Sequence, residues 1–231
     1  MTNGRGYEWW QPDALLPALA IVGPYFFNKL IYIYFPGYPV FVVTDYACRT
    51  LSLVFLYLLL RSEPTSWPIP WRLATPSTKE LLTALIGTIT LISSNVVGMT
   101  FIQYLNAHSW RITRFPLPNN SVLQYFDGTI GMAFVGLIEE AVFRFYLINL
   151  LVLRGMSPAG AIIVSTLIFG GIHWSYGAGA VVFAMLAGLV LSMIFMSARN
   201  LTAPIITHAA FDAFYFAGGV AFLWRIYNRV W

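Results

Sequence analysis

Charge is what this chain has least of. Only 10% of its 231 residues are Asp, Glu, Lys or Arg, against about 25% in soluble domains. Cysteine occurs once, as Cys48, so neither an internal disulfide nor a cysteine-based metal site is available. Set in an apolar run, Cys48 reads as a small apolar residue. The Gly-x-Ser-x-Gly turn of serine hydrolases is missing, and so is the His-Glu-x-x-His pattern of zinc proteases. No basic cluster is interleaved with aromatics, which argues against a nucleic-acid partner. No polar stretch is long enough to be a soluble domain. The polar start, Met1 to Asp13, lacks the basic, apolar and small-residue order of a cleaved signal, so the first helix is expected to stay.

What fills the chain is apolar: 58% hydrophobic and 17% aromatic residues, with a mean hydropathy of +0.71. That composition describes an integral membrane protein, and the expected fold is an all-α polytopic transmembrane helical bundle. A span needs about 20 apolar residues. Seven stretches qualify, with eight as the upper count: 14–35, 39–60, 81–105, 129–153, 158–174, 178–198 and 201–224. Between the second and third, Trp67 and Trp71 read as interfacial anchors. With the N-terminus inside, Arg5, Arg61, Arg72, Lys79, Arg154 and Arg199 face Arg111, Arg114, Arg225 and Arg229 across the membrane. That division is too even for the positive-inside rule to orient the chain.

Ionisable groups inside apolar spans cost roughly 2.5–3.5 kcal/mol each on insertion scales and are functional hypotheses by default. The fourth span carries three: Glu139, Glu140 and Arg144. At about 100° per residue, Arg144 projects about 40° from Glu140 but about 140° from Glu139. Glu140 and Arg144 also form an i,i+4 pair with the acid N-terminal, the better orientation. Glu140 is therefore expected to be held by Arg144, leaving Glu139 free to face elsewhere. His173 closes the fifth span after Gly170 and Gly171, which let another helix or a substrate backbone come close. His208 and Asp212 share one face of the seventh. A rise of 1.5 Å per residue allows Glu139, His173 and His208 to lie in one central band.

Each group has a structural reading: a lone buried histidine is usually a hydrogen-bonded core residue, and Glu140–Arg144 alone could be a packing ion pair. Asp45 and Arg49, four apart in the second span with nothing else polar beside them, read as such a pair. Asn95 and Asn149 read as interhelical hydrogen-bonding residues, and His108 receives no role. Two carboxylates, an arginine, two histidines and an aspartate over three successive apolar segments are harder to explain as structure alone. A carboxylate beside a neutral imidazole can activate water for attack on an amide carbonyl, and a second histidine can donate to the resulting oxyanion. The same Glu139, His173 and His208 could in principle ligate a metal, a reading ranked second.

Glu139-Glu140-x-x-x-Arg144, Phe169-x-x-x-His173 and His208-x-x-x-Asp212, in that order, resemble the three motifs of the CPBP (Abi) intramembrane proteases. That family includes CAAX prenyl endopeptidases and bacterial relatives that process or protect against bacteriocins. The resemblance covers about a third of the chain and makes residues 129–224 a catalytic core, after N-terminal helices in 1–128 and before a basic tail, 225–231. It implies that Glu139 is the general base, assisted by His173, and that His208 and residue 212 form the oxyanion site. Glu140 and Arg144 would hold the arrangement, with Phe169 packed nearby. The prenyl endopeptidases have asparagine where this chain has Asp212. An ionised Asp cannot donate to an oxyanion, so Asp212 is expected either to be protonated or, as preferred, to orient His208 as an acceptor.

The expectation is a glutamate-type intramembrane endopeptidase with no cofactor and no obligatory metal. Its partners would be the lipid bilayer and a membrane-anchored protein or peptide, cut near a CAAX-type terminus or a C-terminal sorting tail. Its place would be a cell membrane, prokaryotic for a compact chain of this kind. The alternatives are a metal-dependent hydrolase, a non-catalytic immunity factor or scaffold, and a proton-coupled transporter, disfavoured because the chain lacks two similar halves.

Overall fold

The computed structural model describes residues 12–62, 67–69, 73, 75–113, 116 and 120–230. Arg5, Trp71, Arg72, Arg114 and residues 1–11, on which several expectations fall, lie outside them. The described residues contain helices and no strand. Helix α1 is Pro12–Tyr34, α2 Tyr38–Ser62 and α3 Thr78–His108. Helix α4 occupies 121–153 and is followed by α5 (Pro158–Gly171), α6 (Ala178–Ala198), α7 (Thr202–Phe216) and α8 (Gly219–Val230).

The helix ends follow local chemistry. Ser77 and Glu80 form a reciprocal capping box at α3, satisfying two of the amide groups that a helix start leaves unpaired. Asn120 Oδ1 accepts from Val122 N at 2.8 Å to open α4, and Ser157 caps α5 with Pro158 in the first turn. Gly155, at φ +85°, makes the turn out of α4, a conformation open to glycine at little steric cost.

Helix α4 is the axis of the molecule. Every residue from Ile138 to Asn149 is buried, so its sequence shows no polar face. The α2, α5 and α7 helices pack around it, while α6 lies against α3, α5 and α7. The outer helices instead turn large apolar side chains outward, including Leu16, Phe27, Val43, Ile86 and Val97, as a lipid-facing surface requires.

Two features of α4 depart from the expectation. It starts at Ser121 rather than near Thr129, so Asp127 lies within the helix; Tyr46 donates a hydrogen bond to its buried carboxylate. The helix is also not α throughout: Asp127–Gly131 and Glu140–Ile148 are π-helical, with i→i+5 bonding. A wheel of 100° per residue therefore does not describe the turn after Glu140, although Arg144 still reaches it. Ser165 Oγ of α5 adds a bond to the Phe143 carbonyl, at 2.7 Å.

These interruptions also change the span count. Among the described residues, α1, α2, α3 and α6 are each long and apolar enough to cross a membrane. The α7–α8 pair, bent by 68°, makes a fifth if it is one span. The seven expected spans treated each apolar run as one straight helix. Instead α5 has 14 residues, and α4 alternates between short α and π stretches.

Close helix contacts fall where small residues stand. A Cβ on Gly170 would come within 2.3 Å of Met185 Cγ on α6, whereas one on Gly171 would only touch Phe26 at 3.8 Å. Of the two glycines, Gly170 alone is required by a close approach. Asn149 does not join two helices; its carboxamide bonds both the N–H and the C=O of Ile69, each at 2.9 Å, and so clamps the segment before α3 onto α4. Trp67 packs on Phe145 and Tyr146, an inward contact and not only an interfacial one.

Candidate active site

A cavity of about 270 Å³ opens among α1, α2, α3, α4, α6, α7 and the turn after α5. Glu139, His173, His208 and Asp212 all line it, so the structure brings these four sequence-selected residues to one space. Glu139 sits in the last turn of an α stretch, His173 in the turn that follows α5, and His208 and Asp212 one helical turn apart on α7.

Glu140 and Arg144 do not line the cavity; both are fully buried behind its wall. Arg144 Nε lies 3.2 Å from Glu140 Oε2, its guanidinium stacks 4.2 Å from the Phe169 ring centre, and Nη2 reaches the Gly188 carbonyl at 3.5 Å. Phe169 fills the space between the two imidazoles, with ring centres 5.3 Å from His173 and 5.9 Å from His208.

The histidines are oriented by different partners. His173 Nδ1 lies 2.9 Å from the Phe169 carbonyl. A carbonyl only accepts, so Nδ1 carries the proton and a neutral His173 keeps an acceptor at Nε2. His208 Nδ1 lies 2.7 Å from Glu140 Oε1, so Glu140 holds the far side of this ring. On the cavity side, His208 Nε2 is 3.4 Å from Asp212 Oδ2 and 3.6 Å from Glu139 Oε2. Asp212 was expected to be the acceptor that orients His208; in the structure that contact is longer than the one Glu140 makes at Nδ1.

The larger correction concerns Glu139. It is not left alone by Arg144: Arg49 Nη1 of α2 donates a hydrogen bond to Glu139 Oε1. Nor are Asp45 and Arg49 an isolated pair. Arg49 Nε binds Asp45 Oδ2 at 2.7 Å, Asn28 Nδ2 donates to Asp45 Oδ1 at 2.7 Å, and Lys29 Nζ lies 3.7 Å from the same oxygen. Lys29 also donates to Tyr176 Oη at 3.0 Å. The rule that intramembrane charges are functional hypotheses applied equally to α1 and α2; what the sequence could not show was that these helices face α4. Asn95 of α3 also lines the cavity, and its buried Oδ1 has no hydrogen-bond partner among the described residues, so it is not the interhelical bond expected.

No group of three or more His, Cys, Asp or Glu side chains among the described residues is arranged to hold a metal ion. The cation beside Glu139 is the Arg49 guanidinium, on Oε1.

A membrane helical bundle with acids and imidazoles converging on a buried cavity is the class these observations define. Residues 121–214 match the family model described as type II CAAX prenyl endopeptidase Rce1-like, the family group that the three motifs resemble. The match covers about two fifths of the chain and includes α4, α5, α6 and nearly all of α7. It supports a membrane endopeptidase, a hydrolase of peptide bonds. No curated protein and no solved structure gives a significant match.

Proposed function

We propose that this protein is a glutamate-type intramembrane endopeptidase and that Glu139 is its general base. The observation that carries the reading is the convergence of Glu139, His173, His208 and Asp212 on one cavity, within the segment that matches the protease family. A water held between Glu139 and the free Nε2 of His173 gives a proton to the carboxylate as its oxygen bonds to the substrate carbonyl carbon. The oxyanion that forms meets the Nε2–H of His208, whose ring Glu140 holds from behind. On collapse the C–N bond breaks, and the proton on Glu139 passes to the leaving amine.

Asp212, beside Nε2, steers that donor rather than donating itself. Apolar cavity walls, from Phe41, Val135, Phe183 and Leu191 among others, suit a peptide segment already in the bilayer. The substrate would therefore be a membrane-anchored protein cut near its anchor, whether a CAAX-type terminus or a sorting tail, in a prokaryotic cell membrane. Residues 129–224 would supply the chemistry, and the helices before them part of the cavity wall.

The test is co-expression with candidate membrane-anchored substrates, comparing wild type with Glu139→Gln and His208→Ala at matched protein levels. Cleavage should fall by about 10²–10⁴-fold in Glu139→Gln, the usual worth of a general base, with the protein still folded. Cleavage by Glu139→Gln at the wild-type rate overturns the reading; a partner that stays uncut yet still needs this protein, with both variants supporting its function, favours a non-catalytic scaffold.

A further inference from the structure

We infer that Arg49 is the counter-ion that positions Glu139, and that the α1–α2 hairpin, outside the family-matched segment, is therefore a working part of the site. The inference rests on the endopeptidase reading for its purpose but not for its geometry. Arg49 is buried, and it reaches Glu139 from a helix that shares no sequence motif with α4. Its guanidinium divides between two carboxylates, Nη1 on Glu139 Oε1 and Nε on Asp45 Oδ2. A planar fork of donors can do this at fixed geometry. The Tyr25 ring, 5.3 Å away, backs the guanidinium.

From Asp45 the network continues to Asn28 and Lys29 on α1, and from Lys29 to the hydroxyl of Tyr176. Tyr176 lies three residues after His173, in the turn that carries that imidazole. The chain of contacts Glu139–Arg49–Asp45–Lys29–Tyr176 thus ties the base on α4 to the turn holding its partner histidine, through the two N-terminal helices. With one Glu139 oxygen fixed on Arg49, the other, Oε2, is directed toward His208. Arg49 touches no reacting atom in the proposed reaction, so it is a positioning residue that also neutralises the base.

The test reads the state of Glu139 without any cleavage. The full-length protein in detergent near neutral pH is treated with dicyclohexylcarbodiimide. A protonated carboxyl adds across one N=C bond, its oxygen bonding to carbon and its proton passing to nitrogen, and the adduct rearranges to a stable N-acylurea. An ionised carboxylate lacks that proton and reacts little. Fragment mass spectrometry then separates label on Glu139 from label on Glu140, and the same labelling at acid pH, where carboxyls are protonated, reports access to the cavity.

Glu139 should stay almost unlabelled in wild type and gain about tenfold in Arg49→Gln, the ratio that losing ~1.4 kcal/mol of counter-ion stabilisation sets. Arg49→Lys, which keeps the charge, should remain near wild type. Equal Glu139 labelling in wild type and Arg49→Gln near neutral pH, with labelling at acid pH unchanged, overturns the inference. If Arg49→Gln unfolds, seen as loss of its thermal transition in detergent, Arg49→Lys decides: Glu139 labelled there, with the transition kept, also overturns it. Loss of cleavage in Glu139→Gln tests the endopeptidase reading separately.

Discussion

Glu139 and Glu140 are neighbours in the chain, yet the two sides of α4 treat them differently. Glu140 is sealed behind the cavity wall with an arginine from its own helix and the rear nitrogen of His208. Glu139 lines the cavity, with an arginine from α2 on one oxygen and the other toward the front nitrogen of His208. Both carboxylates are nearly inaccessible as residues, so burial alone does not distinguish them. What distinguishes them is whether empty space adjoins the carboxylate. A charge with no adjoining space can only hold structure; one beside a cavity can also act on what enters.

The comparison breaks most sharply if the two residues are changed in turn. After the activity loss expected for Glu139→Gln, the largest effect should come from Arg144→Met. Removing one partner of a buried pair leaves an uncompensated charge and costs about 3–5 kcal/mol. Thermal unfolding in detergent should show that loss for Arg144→Met, and partial recovery when Glu140→Gln is added. A melting temperature unchanged by Arg144→Met would mean that Glu140 needs no partner. Next in size, Gly170→Ala drives a methyl into Met185, an overpacking worth about 1–3 kcal/mol, while Gly171→Ala should be nearly neutral in the same assay. If both behave alike, the α5–α6 approach does not depend on that glycine. The smallest effect belongs far from the site: Ser77→Ala removes the α3 cap at about 1 kcal/mol and should leave cleavage by the folded protein unaltered.

Much of the site was legible because its residue types are costly where they stand. Glu139, Glu140, Arg144, His173, His208 and Asp212 were marked by being ionisable within apolar runs, and their order matched a family pattern. Arg49 and Asp45 carried the same mark but were read as a closed pair, because spacing along one helix shows only the partners on that helix. Asn95 looked like an ordinary interhelical hydrogen bonder, since a carboxamide in an apolar span gives no sign of whether it faces a neighbour or a cavity. The count of seven spans is not matched by long unbroken helices, for a related reason. A hydropathy window reads apolar length and does not see the π stretches of α4 or the 68° bend between α7 and α8.

The sequence by itself determined the solvent, the helical class and the residues able to do chemistry. Those follow from composition and from the high cost of charge in hydrocarbon, which act on each segment separately. Only the tertiary structure decided that Arg49 meets Glu139, which side of each imidazole meets the cavity, and that the N-terminal helices line it. Those depend on contacts between segments distant in the chain: Arg49 and Glu139 stand 90 residues apart, and no local periodicity encodes their meeting.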